Sequence, residues 1–335
     1  MVILWIIKLK ATTSCERIFS DMDTQNNTAA KKPRIVSLEE INRMARTNPA
    51  ELIDLGERTY SHSIEHAAQG IADSFAAKPV ILLSGPSGSA KTSTALRLRK
   101  ELERHGIKSL VISMDDYFVP GKLEPDADGK IDYEKPERVD IKLLSEHLEI
   151  LANGGSVRLP KFNFSDNTRA EGEIIQREKD TAVIIEGIHA LNPLVTGGHH
   201  DYATFVYVSV RTRIADKSGL LLHPSKIRLM RRLSRDKLFR GRDFKLTVAN
   251  FSSVQRGESL YIMPFKSRAD YDIDSFFAYE LGVYRNVLPK LCGSEFEKYE
   301  RAADDRSVLP YFLSAAEEIP AQLVPVTSVV KEFIG

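Results

Sequence analysis

The chain has 335 residues, 42% hydrophobic and 28% charged, with a net charge of +1. Such values fit a soluble globular chain of one large α/β domain with appendages or two small domains, and they exclude any general attraction to nucleic acid or a membrane, so a charged site must be local. Cys15 and Cys292 are the only cysteines, which excludes a disulfide framework and a cysteine zinc site and fits a reducing cytoplasm.

In chain order, the apolar run Val2 to Ile7 stops at Lys8, too short to span a bilayer. Its positive charges follow the apolar run, the reverse of a secretory signal. Residues 1–34 are expected to form a disordered leader, with Met22 as an alternative start. Ser37-Leu38-Glu39-Glu40 has capping-box spacing before an apolar-periodic stretch. Pro49 breaks that stretch, and a second helix is expected from Ala50 towards Ala77. Residues 35–78 thus form a helical extension, packed on the core or on a partner chain of a homo-oligomer. Its His62 and His66 lie four apart, but no carboxylate pattern accompanies them, so they read as surface or packing residues.

From residue 79 to 335 strands and helices alternate. Val80-Ile81-Leu82-Leu83 is a buried strand, followed by a glycine-rich turn and a helix from Ser93 to Glu103. Further strands are expected at Ser109–Ser113, Thr181–Ile185 and Thr204–Val210, and a helix at Leu143–Ala152. Buried runs separated by helices indicate a mainly parallel sheet with ligands at the carboxyl ends of its strands.

The turn carries the most specific signal. Gly85-Pro86-Ser87-Gly88-Ser89-Ala90-Lys91-Thr92 lies between strand and helix, as a phosphate-binding loop requires. Its backbone N–H groups would face nucleotide phosphates, Lys91 would reach the β- and γ-phosphates, and the Thr92 hydroxyl would sit on Mg²⁺. The residue before the lysine is usually glycine and here is Ala90. Its place near the first helical turn predicts helical dihedrals that alanine tolerates.

Acids follow two strand ends: Asp115 and Asp116 after the second strand, and Glu186 after Ile185. Phosphoryl transfer to a hydroxyl needs one carboxylate near the attacking oxygen and others for Mg²⁺. Between Lys226 and Arg242 arginines crowd together. On a helix, Arg228, Arg232 and Arg235 share a face, which predicts an anion against them, and transferring phosphate is the natural one. A nucleic-acid stripe would need a matching aromatic series, which is lacking.

These pieces, with Ile112-Ser113-Met114-Asp115-Asp116-Tyr117, Asp132-Tyr133-Glu134-Lys135-Pro136-Glu137, Ile185-Glu186-Gly187-Ile188-His189 and the closing Val329 to Gly335, resemble the uridine kinase and phosphoribulokinase family of P-loop kinases. Within it the bacterial uridine kinase-like nucleoside kinases are most similar. The resemblance covers residues 79 to 335. It implies a P-loop NTPase fold, Rossmann-like, with ATP or another nucleoside triphosphate and Mg²⁺ as cofactors. It implies transfer of the γ-phosphoryl group to a nucleoside 5′-hydroxyl, with Asp115 as base and Lys91, Arg235 and Arg240 stabilising charge. Gly85 through Ser93 and Arg232 would hold the nucleotide, and Thr92, Asp115 and Glu186 the metal. Asp116, Tyr117, Tyr133, Glu134, Phe162, His189, Arg235 and Arg242 would line the acceptor site, Asp116 being also the runner-up base. Glu134 stands where the family holds an aspartate for ribose. Around Leu159 to Asp166 the pyrimidine-binding histidine of uridine kinases is missing, so base preference is open. Phe162 and Phe164 read equally as base-stacking or core residues. Rival readings are a kinase of another small alcohol such as a sugar phosphate, a catalytically silent nucleotide sensor, and a nucleic-acid-dependent ATPase.

Overall fold

A computed structural model describes residues 33–121, 131–198, 201–296, 298 and 308–335. Residues 1–32 of the expected leader, with the alternative start Met22, lie outside them.

The chain enters through a short strand, β1 (Ile35–Ser37), then α1 (Leu38–Thr47) and α2 (Pro49–Ser74). Ser37 caps α1 by accepting from the Glu40 N–H, as the capping-box spacing predicted. Asn48 caps α2, and Pro49 takes the first helical position, where its missing N–H costs nothing. β1 was not expected. Three residues are too few for a periodic signal, and the partner strand β8 (Arg213–Ala215) lies far along the chain.

The core strands are β2 (Val80–Ser84), β3 (Lys108–Ser113), β6 (Thr181–Glu186), β7 (Ala203–Ser209) and β10 (Tyr271–Asp274). They form one parallel sheet in the order β10-β7-β2-β6-β3. Every residue of β2, β6 and β7 is buried, which explains their unbroken apolar runs. β2 lies at the centre, and the chain leaves it towards β3 and β6 on one side and continues through β7 on the other. Its carboxyl end is therefore the crevice where ligands of open α/β sheets bind.

Helix α3 (Lys91–Arg104) follows β2, and α4 (Ile141–Ala152) precedes a hairpin of β4 (Ser156–Asn163) and β5 (Thr168–Gln176). The hairpin holds the segment Leu159 to Asp166, for which no strand was predicted. Its polar alternation gives one-sided burial, and Pro160 sits at an irregularity in the ladder. After a short helix α5 (Pro193–Thr196) and strands β7, β8 and β9 (Leu221–Leu222) come α6 (Pro224–Arg240) and α7 (Phe244–Tyr261). Beyond β10, α8 (Glu280–Cys292), α9 (Val308–Ala315) and α10 (Lys331–Ile334) complete the described chain. Leu52, Tyr60 and Ile71 of α2 share one core with Leu98 and Leu102 of α3 and with Phe333 of α10. Helices α2 and α10 therefore pack behind the loop that follows β2. No described helix is long and apolar enough to cross a membrane.

Candidate active site

The turn after β2 is shaped by contacts that leave no room for alternatives. A Cβ on Gly85 would lie 2.0 Å from the Val208 carbonyl oxygen, so only glycine lets β2 pass β7 there. Ala90 has φ of 69°, the left-handed region, and caps α3 without a side-chain hydrogen bond. The expectation of helical dihedrals is thereby corrected: the chain turns into the helix at Ala90 itself, in a conformation that costs a non-glycine residue about 1–2 kcal/mol. Lys91 follows, its Nζ 3.4 Å from the Pro86 carbonyl. The first N–H groups of any helix lack partners within it, and such an end suits an anion.

Three arginines of α6 grip the loop. Arg228 donates to the Ser87 carbonyl at 3.1 Å, Arg231 to the Gly88 carbonyl at 3.1 Å, and Arg232 to the Ser87 hydroxyl. Carboxylates of the chain itself also stand against this cluster. Glu258 takes Arg228, and Glu280 takes the fully buried Arg231 through both oxygens at 2.6 and 2.8 Å. Buried Asp236 sits within 3.4–3.9 Å of Arg232, Arg235 and Arg240. Arg240 and Arg242 are exposed, and Arg240 lies close enough to bear on the Asp115 carboxylate. Sequence reading assigned no part to Asp236, Glu258 and Glu280. An acid inside an arginine run was the available signal for the first, while the other two lie on remote elements.

Acids face Lys91 from the neighbouring strands. Glu186 ends β6 and accepts from the Thr92 hydroxyl at 3.1 Å and from Ser113 at 3.5 Å. Burial pushes its carboxyl up to about 7 against the pull of Lys91, and the Asp115 charge adds to the rise. Asp115 follows β3 in a short 3₁₀ turn that Ser113 caps. Its carboxylate accepts no hydrogen bond among the described residues. Burial raises its pKa, opposed by Lys91, Arg240 and Arg138. Glu134 is buried, and burial raises it too, opposed by Arg232 and Lys91. Lys91, Thr92, Asp115, Glu134, Glu186, Arg232 and Arg240 thus converge on one crevice.

Other expected site residues are not brought there with free groups. Asp116 accepts from Lys161 at 3.1 Å and from the Phe162 N–H at 3.2 Å, which binds it to the hairpin. Tyr117 is fully buried, its hydroxyl 2.9 Å from His147 Nδ1, so it is a core residue. Phe162 is buried among Phe118 and Phe164, and only Phe164 is exposed. Ser93 donates to Glu332 of α10. His189 is 1% exposed, and burial lowers it to about 4, so it is neutral. Tyr133 is exposed beside the Arg138 guanidinium, which is 5.5 Å from its ring and 4.4 Å from that of Phe118. Arg138 was missed because the turn that carries it has no periodicity. His66 packs edge-on against Tyr271, the packing role its sequence suggested.

A parallel sheet with this loop at its central strand defines a P-loop nucleotide-binding protein. Residues 80–279 match the model of the phosphoribulokinase / uridine kinase family, and the chain belongs to that family. Membership makes it a small-molecule kinase that uses ATP. A uridine kinase of Staphylococcus aureus is 30% identical over 197 residues, covering 58% of this chain and 86% of the relative. The solved structure of a "possible uridine kinase" from Bacillus stearothermophilus aligns with 44% of this chain and 79% of its own, at 21% identity and a TM-score of 0.37. A D-glycerate 3-kinase from Cryptococcus neoformans aligns with 59% of this chain and 88% of its own, at 17% identity and a TM-score of 0.41.

Proposed function

We propose that this kinase transfers the γ-phosphoryl group of ATP to the 5′-hydroxyl of a ribonucleoside. The observation that carries the reading is the free carboxylate of Asp115, held opposite Lys91 while its neighbour Asp116 is tied to the hairpin. Asp115 takes the proton of the attacking hydroxyl, a task for which a raised pKa suits a carboxylate. Lys91, Arg235 and Arg240 offset the charge that develops on the transferring group. Glu134, of fixed position and ionisable, holds the acceptor's ribose hydroxyls. Arg232 keeps the loop in shape through Ser87 and leaves Arg240 to close over the crevice.

The oxygen donors present fit Mg²⁺. The Thr92 hydroxyl and Glu186 carboxylate adjoin each other, and no group of three ligand-type side chains is assembled among the described residues. Mg²⁺ takes one or two carboxylates and completes its shell with water and phosphate oxygens, so an open donor set of this kind suits it. Held by Thr92 and Glu186, it would neutralise charge on the phosphates of the nucleotide.

A second reading, a kinase of an anionic alcohol such as a sugar phosphate, draws on Arg138. Its Nε is buried without a partner, and the guanidinium bears on both Asp115 and Glu134. ADP release with Mg-ATP, measured across nucleosides, sugar phosphates and a blank without acceptor, tests both. Turnover dependent on nucleosides supports the first reading. Turnover with sugar phosphates alone replaces it by the second, and silence across the panel with ADP binding intact rejects both.

A further inference from the structure

We propose that the helical extension positions the phosphate loop, with Tyr60 acting through Thr94 to hold Ala90 in its left-handed conformation; this rests on the reading of that loop as the nucleotide site. Ala90 and Asn167 are the two non-glycine residues with positive φ among those described. A strained alanine persists only where its surroundings over-determine it. Here the Ala90 carbonyl accepts twice from Thr94, from the N–H at 2.9 Å and from the hydroxyl at 2.7 Å. A threonine hydroxyl has one proton, so the Tyr60 hydroxyl, 2.5 Å away, must be the donor into Thr94 Oγ1. The result is a buried chain from Tyr60 to Thr94 to the Ala90 carbonyl, with both side chains fully covered. Each bond polarises the next, and water cannot replace either.

Two further groups fix the Tyr60 ring. The Arg97 guanidinium lies 5.1 Å over its ring, and the Phe277 ring packs at 5.3 Å. Arg97 is bound to Glu57 at 2.9 Å and to the Thr327 carbonyl, while Tyr279 donates to Glu57 at 2.6 Å. Helix α2, the C-terminal segment and α3 are thereby locked together immediately behind Ala90. Lys91 is the next residue, so any rotation at Ala90 re-aims its side chain and the N–H groups that face phosphate. Glycine at position 90 would adopt the same dihedrals unaided. The contribution of Tyr60 to nucleotide binding should therefore depend on which residue occupies position 90.

That dependence is the test. ADP affinity is measured by calorimetry, and folding by thermal melting, on the full chain and on Tyr60→Phe, Ala90→Gly and their combination. Tyr60→Phe keeps the ring and is expected to weaken ADP binding about fivefold, the size of one lost buried hydrogen bond. Ala90→Gly is expected to bind ADP at least as tightly as the unaltered chain and to erase most of the Tyr60→Phe penalty. Thr94→Val, with Thr94→Ser as the variant that restores the hydroxyl, gives an independent route should Tyr60→Phe fold poorly. Thr94→Val should repeat the loss, again rescued by Ala90→Gly, and Thr94→Ser should not show it. An equal penalty with alanine and with glycine at position 90, or no penalty at all, would overturn the inference while leaving the nucleotide site intact. Failure of the unaltered chain to bind ADP would overturn the site reading and the inference together.

Discussion

Asp115 and Asp116 leave β3 side by side, yet their partners separate them. Asp116 is held by Lys161 and a backbone N–H, whereas the Asp115 carboxylate accepts no hydrogen bond among the described residues. Asp115→Asn keeps size and polarity but cannot take a proton at neutral pH. It should lower kcat by roughly 10²–10⁴ and leave ADP affinity nearly unchanged. Comparable loss of both would mean that Asp115 shapes the nucleotide site instead. Sequence order made the acidic pair visible, but which member is free depends on a hairpin some forty-five residues downstream. In the same way Tyr117, whose motif placed it beside the acids, proved to be a core residue because His147 of α4 captures its hydroxyl.

Elements set the distances that residues need. Helix α7 crosses Glu134 so closely that a Cβ on Gly257 would lie 2.4 Å from the Glu134 Cβ. Gly257→Ala must push helix and carboxylate apart, at about 1–3 kcal/mol for overpacking. The expected result is a KM for the acceptor raised roughly tenfold with ADP binding retained, since α7 does not touch the loop through Gly257. An unchanged acceptor KM would remove Glu134 from the acceptor site. A second element contact has a pH signature. Asp216, just after β8, is held down to about 2, chiefly by the Tyr311 hydroxyl at 2.7 Å and then by Ser218. Because the folded value lies below the unfolded one of about 3.9, this stabilisation is present above that value. It disappears as pH falls towards 2. Urea unfolding of Tyr311→Phe should accordingly show a smaller loss of stability between about pH 5 and pH 2 than the unaltered chain. Parallel pH curves would show that the contact carries no linkage.

At the scale of the whole molecule, the extension and the C-terminal helices are continuous with the core and do not form a separate layer. Leu52, Ile53, Ile64 and Ile71 of α2 are buried, and each contributes about 1.5–3 kcal/mol. Their sum rivals the total stability of a typical domain, about 5–15 kcal/mol. A chain beginning at Lys78 should therefore lose cooperative thermal unfolding, although it retains residues 80–279 of the family match. A sharp melt with normal ADP binding in that truncation would contradict this.

The sequence by itself determined the class of fold and the glycine-rich turn between β2 and α3. Buried parallel strands need unbroken apolar runs, and a turn that approaches phosphate needs glycines beside a lysine, so both leave local marks. The capped start of α1 was legible for the same reason, and Pro49 marked the start of α2. Tertiary structure alone decided the partners. The fate of the arginines depended on Glu258, Glu280 and Asp236, and the short β1 strand depended on β8. Ala90 shows the division most clearly. Its identity was a departure readable in one position, but its left-handed dihedral is stabilised by a tyrosine from another helix, and hydrogen bonds between distant segments leave no local pattern in a chain.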